Sequence, residues 1–228
     1  MDIGNLIDID KQLLLTVNGS DNLFTDSLAM TLTAAVTWIP LYIALLYVVI
    51  RNNENLRKVF IILLSVGLCV LLTGTLNDVL VKPYVARLRP THDLDIGTLT
   101  DVVNGYRGGR YGFFSSHAAN TFSVAVFLSL VVRNKVLTFA LILWSLINCW
   151  TRMYLGVHFP GDIIAGLLWG GIIGSIVYVL YSHINSHTSM RFISSQYTST
   201  GYLYSDVDIV VSVLGYTIIY ALIRACVV

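Results

Sequence analysis

The stretch "TRMYLGVHFPGD", residues 151–162, lies between two apolar runs. Residues 136–151 carry no charge, and the run from Ile163 to about Tyr181 is apolar again. Between them stand Arg152, His158 and Asp162. Ionisable side chains at the edge of such runs are costly, so by default they mark a functional site. The apolar flanks decide the fold, and the three ionisable residues set the question of function.

Working outward, the whole chain reads as a membrane protein. It has 228 residues, 56% hydrophobic and 12% charged. A soluble domain carries about twice that charged fraction. Mean hydropathy is +0.74. The net charge of +1 offers no basic field for nucleic acid. Cys69, Cys149 and Cys226 sit singly in apolar segments and read as small buried hydrophobes, with no disulfide frame or zinc spacing. The opening "MDIGNLIDIDKQLLL" lacks the basic start of a cleaved signal peptide.

Further uncharged runs cover 27–50, 59–77 and about 207–226. Between Arg110 and Arg133 the only charged or imidazole side chain is His117. At roughly 20 apolar residues per span, the expectation is an all-α bundle of six transmembrane helices. Ile3, Leu6, Ile7, Ile9, Leu13, Leu14 and Val17 recur at helical spacing, with Asp2, Asp8, Asp10 and Lys11 between them. Residues 1–26 are therefore expected to hold an amphipathic helix in the membrane interface, with an ordinary soluble helix as the plainer reading. Residues 27–228 form the six-helix core of a single domain.

Arg51, Arg57 and Lys58 in the first connection, Arg133 and Lys135 in the third and Arg191 in the fifth mark one side as cytoplasmic. The second connection, about 82–114, and the fourth, about 152–161, then face outward. The second is nonetheless basic, with Lys82, Arg87, Arg89, Arg107 and Arg110. Gly166, Gly170 and Gly174 lie four apart and read as a helix-packing stripe. His183 and His187 fall in a Ser/Thr-rich loop and read as solvated.

Three outward segments gather the ionisable groups: "KPYVARLRP" (82–90), "FFSSHAANTF" (113–122) and the opening stretch. Lys82, Arg89 and Arg152 are cations without a matching set of nearby acids, and guanidinium forks suit phosphate oxygens. Ser115 and Ser116 precede an apolar run as N-cap residues, and a helix N-terminus adds free N–H groups for an anion. His117 in that first turn suits proton transfer. Asp162, four residues after His158, can hold one ring nitrogen and leave the other as a nucleophile. Taken singly, Arg87 and Arg89 read as snorkelling side chains, His117 as a cap, and Lys82 as a partner of Asp78 one turn earlier. Together on one face they describe a phosphate site.

The same residues resemble a known family. Lys82, Arg89 and Pro90 fit Lys-six residues-Arg-Pro. Phe114-Ser115-Ser116-His117 stands where the family has Pro-Ser-Gly-His. Arg152, His158 and Asp162 fit Ser-Arg-five residues-His-three residues-Asp, with Thr151 for Ser. This is similar to the type 2 phosphatidic acid phosphatase (PAP2) superfamily of membrane lipid phosphatases. The resemblance implies phosphate hydrolysis without metal or other cofactor. It implies His158 as the nucleophile that becomes phosphohistidine, Asp162 as its support and His117 as the acid for the leaving group. It assigns Lys82, Arg89, Ser115, Ser116 and Arg152 to phosphate binding. Neither departure, at Phe114 and Ser116 or at Thr151, removes a catalytic group.

The size resembles bacterial members, so the expected place is the bacterial inner membrane, with the site facing the periplasm or exterior. Undecaprenyl diphosphate is the leading expected substrate, followed by lipid A and phosphatidylglycerophosphate. A lipid phosphotransferase and a non-enzymatic binder or transporter of anionic lipids are the alternatives. Arg107 and Arg110 in "GYRGGRYG" are expected to form a gate that adds charge for a second phosphate.

Overall fold

Caps and prolines set where each apolar run becomes a helix. The computed structural model describes residues 3–20, 22–185 and 195–227, so Asp2, His187 and Arg191 lie outside the described residues. Helix α1 spans Ile3–Val17. Helix α2, Leu23–Thr33, starts where the Asn22 side chain accepts the Phe24 N–H at 3.0 Å.

The run 27–50, expected as one helix, is a bent pair. The chain turns by 67° between Leu23–Thr33 and Ala35–Arg51, the latter including α3, Ile39–Arg51. The break falls at Ala34, whose backbone is extended (φ −75°, ψ 124°), and Pro40 follows in the first turn of α3, where its missing N–H costs nothing. The carbonyl oxygens opened at the bend are taken by side chains. Thr31 O accepts from the Thr37 hydroxyl at 2.6 Å, and Leu32 O accepts from the Trp38 indole at 2.8 Å. The bend leaves Thr33 at the end of α2, where it meets the site.

Helix α4, Leu56–Val70, runs on through two π-turns, Leu71–Thr75 and Asn77–Val81, into α5, Lys82–Val85. The continuous element is 30 residues long and outruns the expected 59–77. At about 1.5 Å per residue it exceeds a hydrocarbon core of about 30 Å, so one end, with Asp78 and Lys82, can stand at the membrane edge. Pro83 cannot donate to the turn before it, and a widened π-turn there relieves the conflict.

Helices α6 (Ser116–Val132), α7 (Lys135–Tyr154), α8 (Pro160–Ile184) and α9 (Tyr204–Cys226) complete the all-helical architecture. Among the described residues four helices are long and apolar enough to cross a membrane, and the bent pair makes up to five. Helix α6 is shorter, at 17 residues. Phe60, Leu64, Phe139 and Leu168 are all exposed, an apolar coat that suits lipid contact. His183 falls on the last turn of α8 and not in a loop. Cys69 and Cys149 are buried as expected, but Cys226, at the end of α9, is exposed.

The glycine stripe is a packing seam. A Cβ at Gly166, Gly170 or Gly174 would stand 2.7, 2.6 and 2.6 Å from the carbonyl oxygens of Ser115, Ala119 and Ser123. Helix α8 therefore lies against the α6 backbone, and this contact draws the second and third sequence segments together.

Candidate active site

Helix ends supply the site. Arg152 lies in the last turn of α7, and His158 sits in the short link to α8. Asp162 is at the third position of α8 and Ser115 caps α6. The link turns at Gly156, whose φ is +64°, and a Cβ there would meet Thr100 Cγ2 at 2.5 Å.

His158 and Asp162 are both buried, with 1% and 0% of their surface exposed. His158 Nδ1 stands 3.5 Å from Asp162 Oδ2, close enough for a strong electrostatic interaction but longer than a formed hydrogen bond. Burial first, then the charges of Arg89, Arg152 and Lys82, hold the His158 imidazole well below its ordinary pKa. A neutral imidazole is the form a nucleophile needs.

Asp162 is held on every side. Its Oδ2 accepts the Phe159 N–H at 3.1 Å, and its Oδ1 accepts Arg87 Nη1 at 2.7 Å. Its carbonyl oxygen accepts the Ser115 N–H at 3.0 Å. Arg87 is therefore not a snorkelling side chain. Its guanidinium lies over the Phe159 ring at 4.3 Å and also pairs with Asp10 at 2.5 Å.

Three cations lie within electrostatic reach of His158. Arg152 is buried, and its Nη1 donates to Thr33 Oγ1 at 2.6 Å and Tyr106 OH at 3.1 Å. Its Nε is a buried donor without a protein partner, suited to an anion. Arg89 is tied to backbone through Nε to Tyr111 O (3.1 Å) and Nη1 to Val157 O (3.3 Å). Lys82 pairs with Asp78 at 2.6 Å, so the plainer reading of that residue also holds in the structure. His117 is exposed, and it lies within electrostatic reach of Arg152, Lys82 and Arg89.

The Ser116 hydroxyl is taken up by protein partners. It donates to Asp78 Oδ1 at 2.8 Å and accepts from Asn77 Nδ2 at 2.8 Å. Its backbone N–H lies in the first turn of α6, among the N–H groups a helix start leaves open. Ser115 Oγ accepts the Ala118 N–H at 3.4 Å as the N-cap. Thr151 is buried and donates to Asn148 O at 2.7 Å, a local structural bond.

Arg107 and Arg110 are exposed on a pinned loop. Thr91 Oγ1 donates to Arg107 O at 3.2 Å, and the Arg89 N–H donates to Arg110 O at 3.1 Å. A Cβ at Gly108, where φ is +66°, would stand 2.6 Å from Arg89 Nη1. The loop backbone thus packs directly on a cradle arginine.

Sequence reasoning did not find Thr33, Tyr106 or the inward role of Asp10 and Arg87. Their contacts span long separations in the chain, and only the uncompensated Arg152 hinted that partners must exist.

The model of the PAP2 superfamily matches residues 58–186, more than half of the chain. The chain is 38% identical over 176 residues to the lipid A 4′-phosphatase of Bacteroides thetaiotaomicron, covering 77% of this chain and 78% of that relative. It is 36% identical over 183 residues to the lipid A 4′-phosphatase of Porphyromonas gingivalis, covering 79% and 76%. The fold matches the crystal structure of a transmembrane PAP2-type phosphatidylglycerolphosphate phosphatase from Bacillus subtilis, with a TM-score of 0.57 at 17% identity, over 84% of this chain and 89% of that one. The chain belongs to the PAP2 superfamily and is a membrane lipid phosphatase.

Proposed function

We propose that the protein removes a phosphate monoester from the lipid A class of glycolipid through a phosphohistidine on His158. The observation that carries this reading is the buried His158–Asp162 pair, at 3.5 Å, ringed by Arg89, Arg152 and Lys82. A binder or transporter of anionic lipids would need the cations but not a carboxylate set against one ring nitrogen. Two relatives covering over three quarters of the chain, both named for lipid A 4′ activity, favour lipid A over undecaprenyl diphosphate. The diphosphate remains the second reading, since exposed Arg107 and Arg110 stand on a loop packed against Arg89 and offer charge for a further phosphate, as fixed groups and not as the expected gate.

In this account His158 Nε2 attacks phosphorus as the P–O bond to the lipid breaks. Lys82, Arg89, Arg152 and the backbone N–H of Ser116 hold the phosphoryl oxygens, whereas the Ser115 N–H, expected there too, is taken by the Asp162 carbonyl oxygen. His117 gives its proton to the leaving oxygen. Neutral His117 then takes a proton from water, whose oxygen attacks phosphorus, and the N–P bond breaks to return His158 and inorganic phosphate. Asp162 supports the charge that His158 carries between the two steps.

Six spans make the consistent topology, with the bent α2–α3 pair first and the 17-residue α6 at the lower limit of about 17 residues for a span. The whole chain then works as one domain in the inner membrane of a bacterium, with its site on the periplasmic side. Helix α1 lies at that interface, where Leu6, Ile7, Ile9 and Leu13 are exposed.

The test is phosphate release in detergent with EDTA present, comparing lipid A, undecaprenyl diphosphate and phosphatidylglycerophosphate for wild type and His158→Ala. Preferred release from lipid A by wild type alone is expected. Preferred turnover of the diphosphate would move the assignment to that lipid. Transfer of phosphate to a second lipid in place of release would make the enzyme a phosphotransferase.

A further inference from the structure

Two residues outside the phosphate cradle converge on Asp162. We propose that Arg87 and Asp10 are positioning residues that hold Asp162, and through it His158, so that the N-terminal helix α1 is a working part of the active site. The inference rests on the reading that His158 and Asp162 carry the chemistry.

Asp162 is fully buried, and a buried carboxylate is costly unless a cation and hydrogen bonds compensate it. Its Oδ2 is aimed at His158 and the Phe159 N–H. Its Oδ1 has the Arg87 guanidinium at 2.7 Å. Arg87 therefore supplies the cation from the side opposite the imidazole. It keeps the carboxylate charged and turned so that one oxygen stays on His158. The Phe159 ring, 4.3 Å beneath the guanidinium, fixes its plane.

Asp10 does two things. Its Oδ2 holds the second arm of Arg87 at 2.5 Å. Its Oδ1 accepts the Gly161 N–H at 2.7 Å, an open donor in the first turn of α8. A carboxylate from α1 thus caps the helix that carries Asp162. A Cβ at Gly161 would stand 2.9 Å from Asp10 Oδ2, so the approach needs a residue without a side chain.

Helix α1 is anchored for this task. Leu14 is fully buried and packs with Ile96 and Phe159. Lys11 pairs with Asp95 at 2.5 Å and Asp93 at 3.2 Å. Asn18 donates to Tyr154 O at 2.9 Å and accepts the Asp101 N–H at 2.7 Å. These contacts tie α1 to both ends of the segment that carries Arg152, His158 and Asp162.

The experiment uses the full-length enzyme in detergent, with steady-state phosphate release from lipid A. The variants are Arg87→Met, Arg87→Lys, Asp10→Asn, Asp10→Ala and the Asp10→Ala/Arg87→Met pair, beside His158→Ala. A positioning role predicts that Arg87→Met lowers kcat by about 10- to 100-fold, the usual cost of losing a group that orients a reactive one. KM should stay within about twofold, because Arg87 does not face the phosphate. Arg87→Lys should recover part of kcat, since it returns the charge without the fork. Asp10→Ala should lower kcat less, and the pair should lose less than the product of the two single losses, since both residues act on Asp162. Asp10→Asn keeps an acceptor for Gly161 and carries the test where Arg87→Met fails to fold; its kcat should fall too. Unchanged kcat in Asp10→Asn and Arg87→Lys would overturn the proposal. So would a raised KM with unchanged kcat in Arg87→Met, which would make Arg87 a phosphate ligand. His158→Ala separates the two levels: its retained activity would sink the reading of the site itself.

Discussion

The backbone N–H of Ser115 donates to the carbonyl oxygen of Asp162 at 3.0 Å. One bond thereby joins the helix cap that offers N–H groups to an anion and the carboxylate that faces His158. It forms because α8 lies against α6 along Gly166, Gly170 and Gly174. The geometry of the site is thus a consequence of helix packing that starts one turn along α8 from Asp162.

Filling that seam should harm both stability and turnover. Gly170→Ala puts a Cβ 2.6 Å from Ala119 O, where backbone must move. Overpacking of this kind costs about 1–3 kcal/mol. A lower melting temperature in detergent with reduced phosphate release is expected. Gly67→Ala and Gly215→Ala, where nothing stands within 4 Å, serve as controls and should melt like wild type.

Arg152 should depend on its two side-chain partners. Thr33→Val and Tyr106→Phe each remove a hydrogen bond to a charged group, worth about 1.5–3 kcal/mol. If that bond orients Arg152 for the phosphate, kcat/KM falls by roughly 10-fold or more in each variant. Kinetics matching wild type in both would show that Arg152 orients without them.

How much of this was legible in the sequence depended on what each residue had to contact. His158 and Asp162 are four apart, and Lys82 and Arg89 frame one short segment, so their grouping could be read from spacing. Gly166, Gly170 and Gly174 declared a seam by periodicity alone. Thr33, Tyr106 and Asp10 could not be found this way. Each reaches its partner across a distant part of the chain, and a threonine, a tyrosine or an interfacial aspartate carries no local signal. The bend after Thr33 was hidden because the run 27–50 is uncharged throughout, and the alanine at the break, Ala34, carries no turn signal. Arg87 misled for a related reason: at a membrane edge, snorkelling is the commoner fate, and only the buried Asp162 overrides it.

The Ser116 hydroxyl should matter for structure more than for binding. Ser116→Ala removes the bonds to Asp78 and Asn77, at a cost of about 1–2 kcal/mol, while the backbone N–H remains. Melting should drop while kcat/KM changes by less than about threefold, within the usual context dependence of a local change. A large loss of kcat/KM without loss of stability would mean that the hydroxyl itself binds phosphate.

The depressed pKa of His158 makes a prediction with a definite sign. Its cause is burial first, then Arg89, Arg152 and Lys82. The unfolded imidazole takes up a proton near pH 6.5, while the folded one stays neutral further down. Between those two values the unfolded state binds more protons, so stability falls as pH drops below about 6.5 and is fully present above it. His158→Gln should lose less melting temperature than wild type over that window. An equal loss in both would assign the acid sensitivity to other groups.

The measurement closest to the central claim is a rapid acid-free quench during turnover of lipid A carrying radiolabelled phosphate, followed by peptide mapping. The account predicts base-stable, acid-labile label on the peptide that contains His158 in the wild type, and none in His158→Ala, which should also release no phosphate. Undiminished release by His158→Ala, or wild-type turnover with the label on another residue, would contradict it.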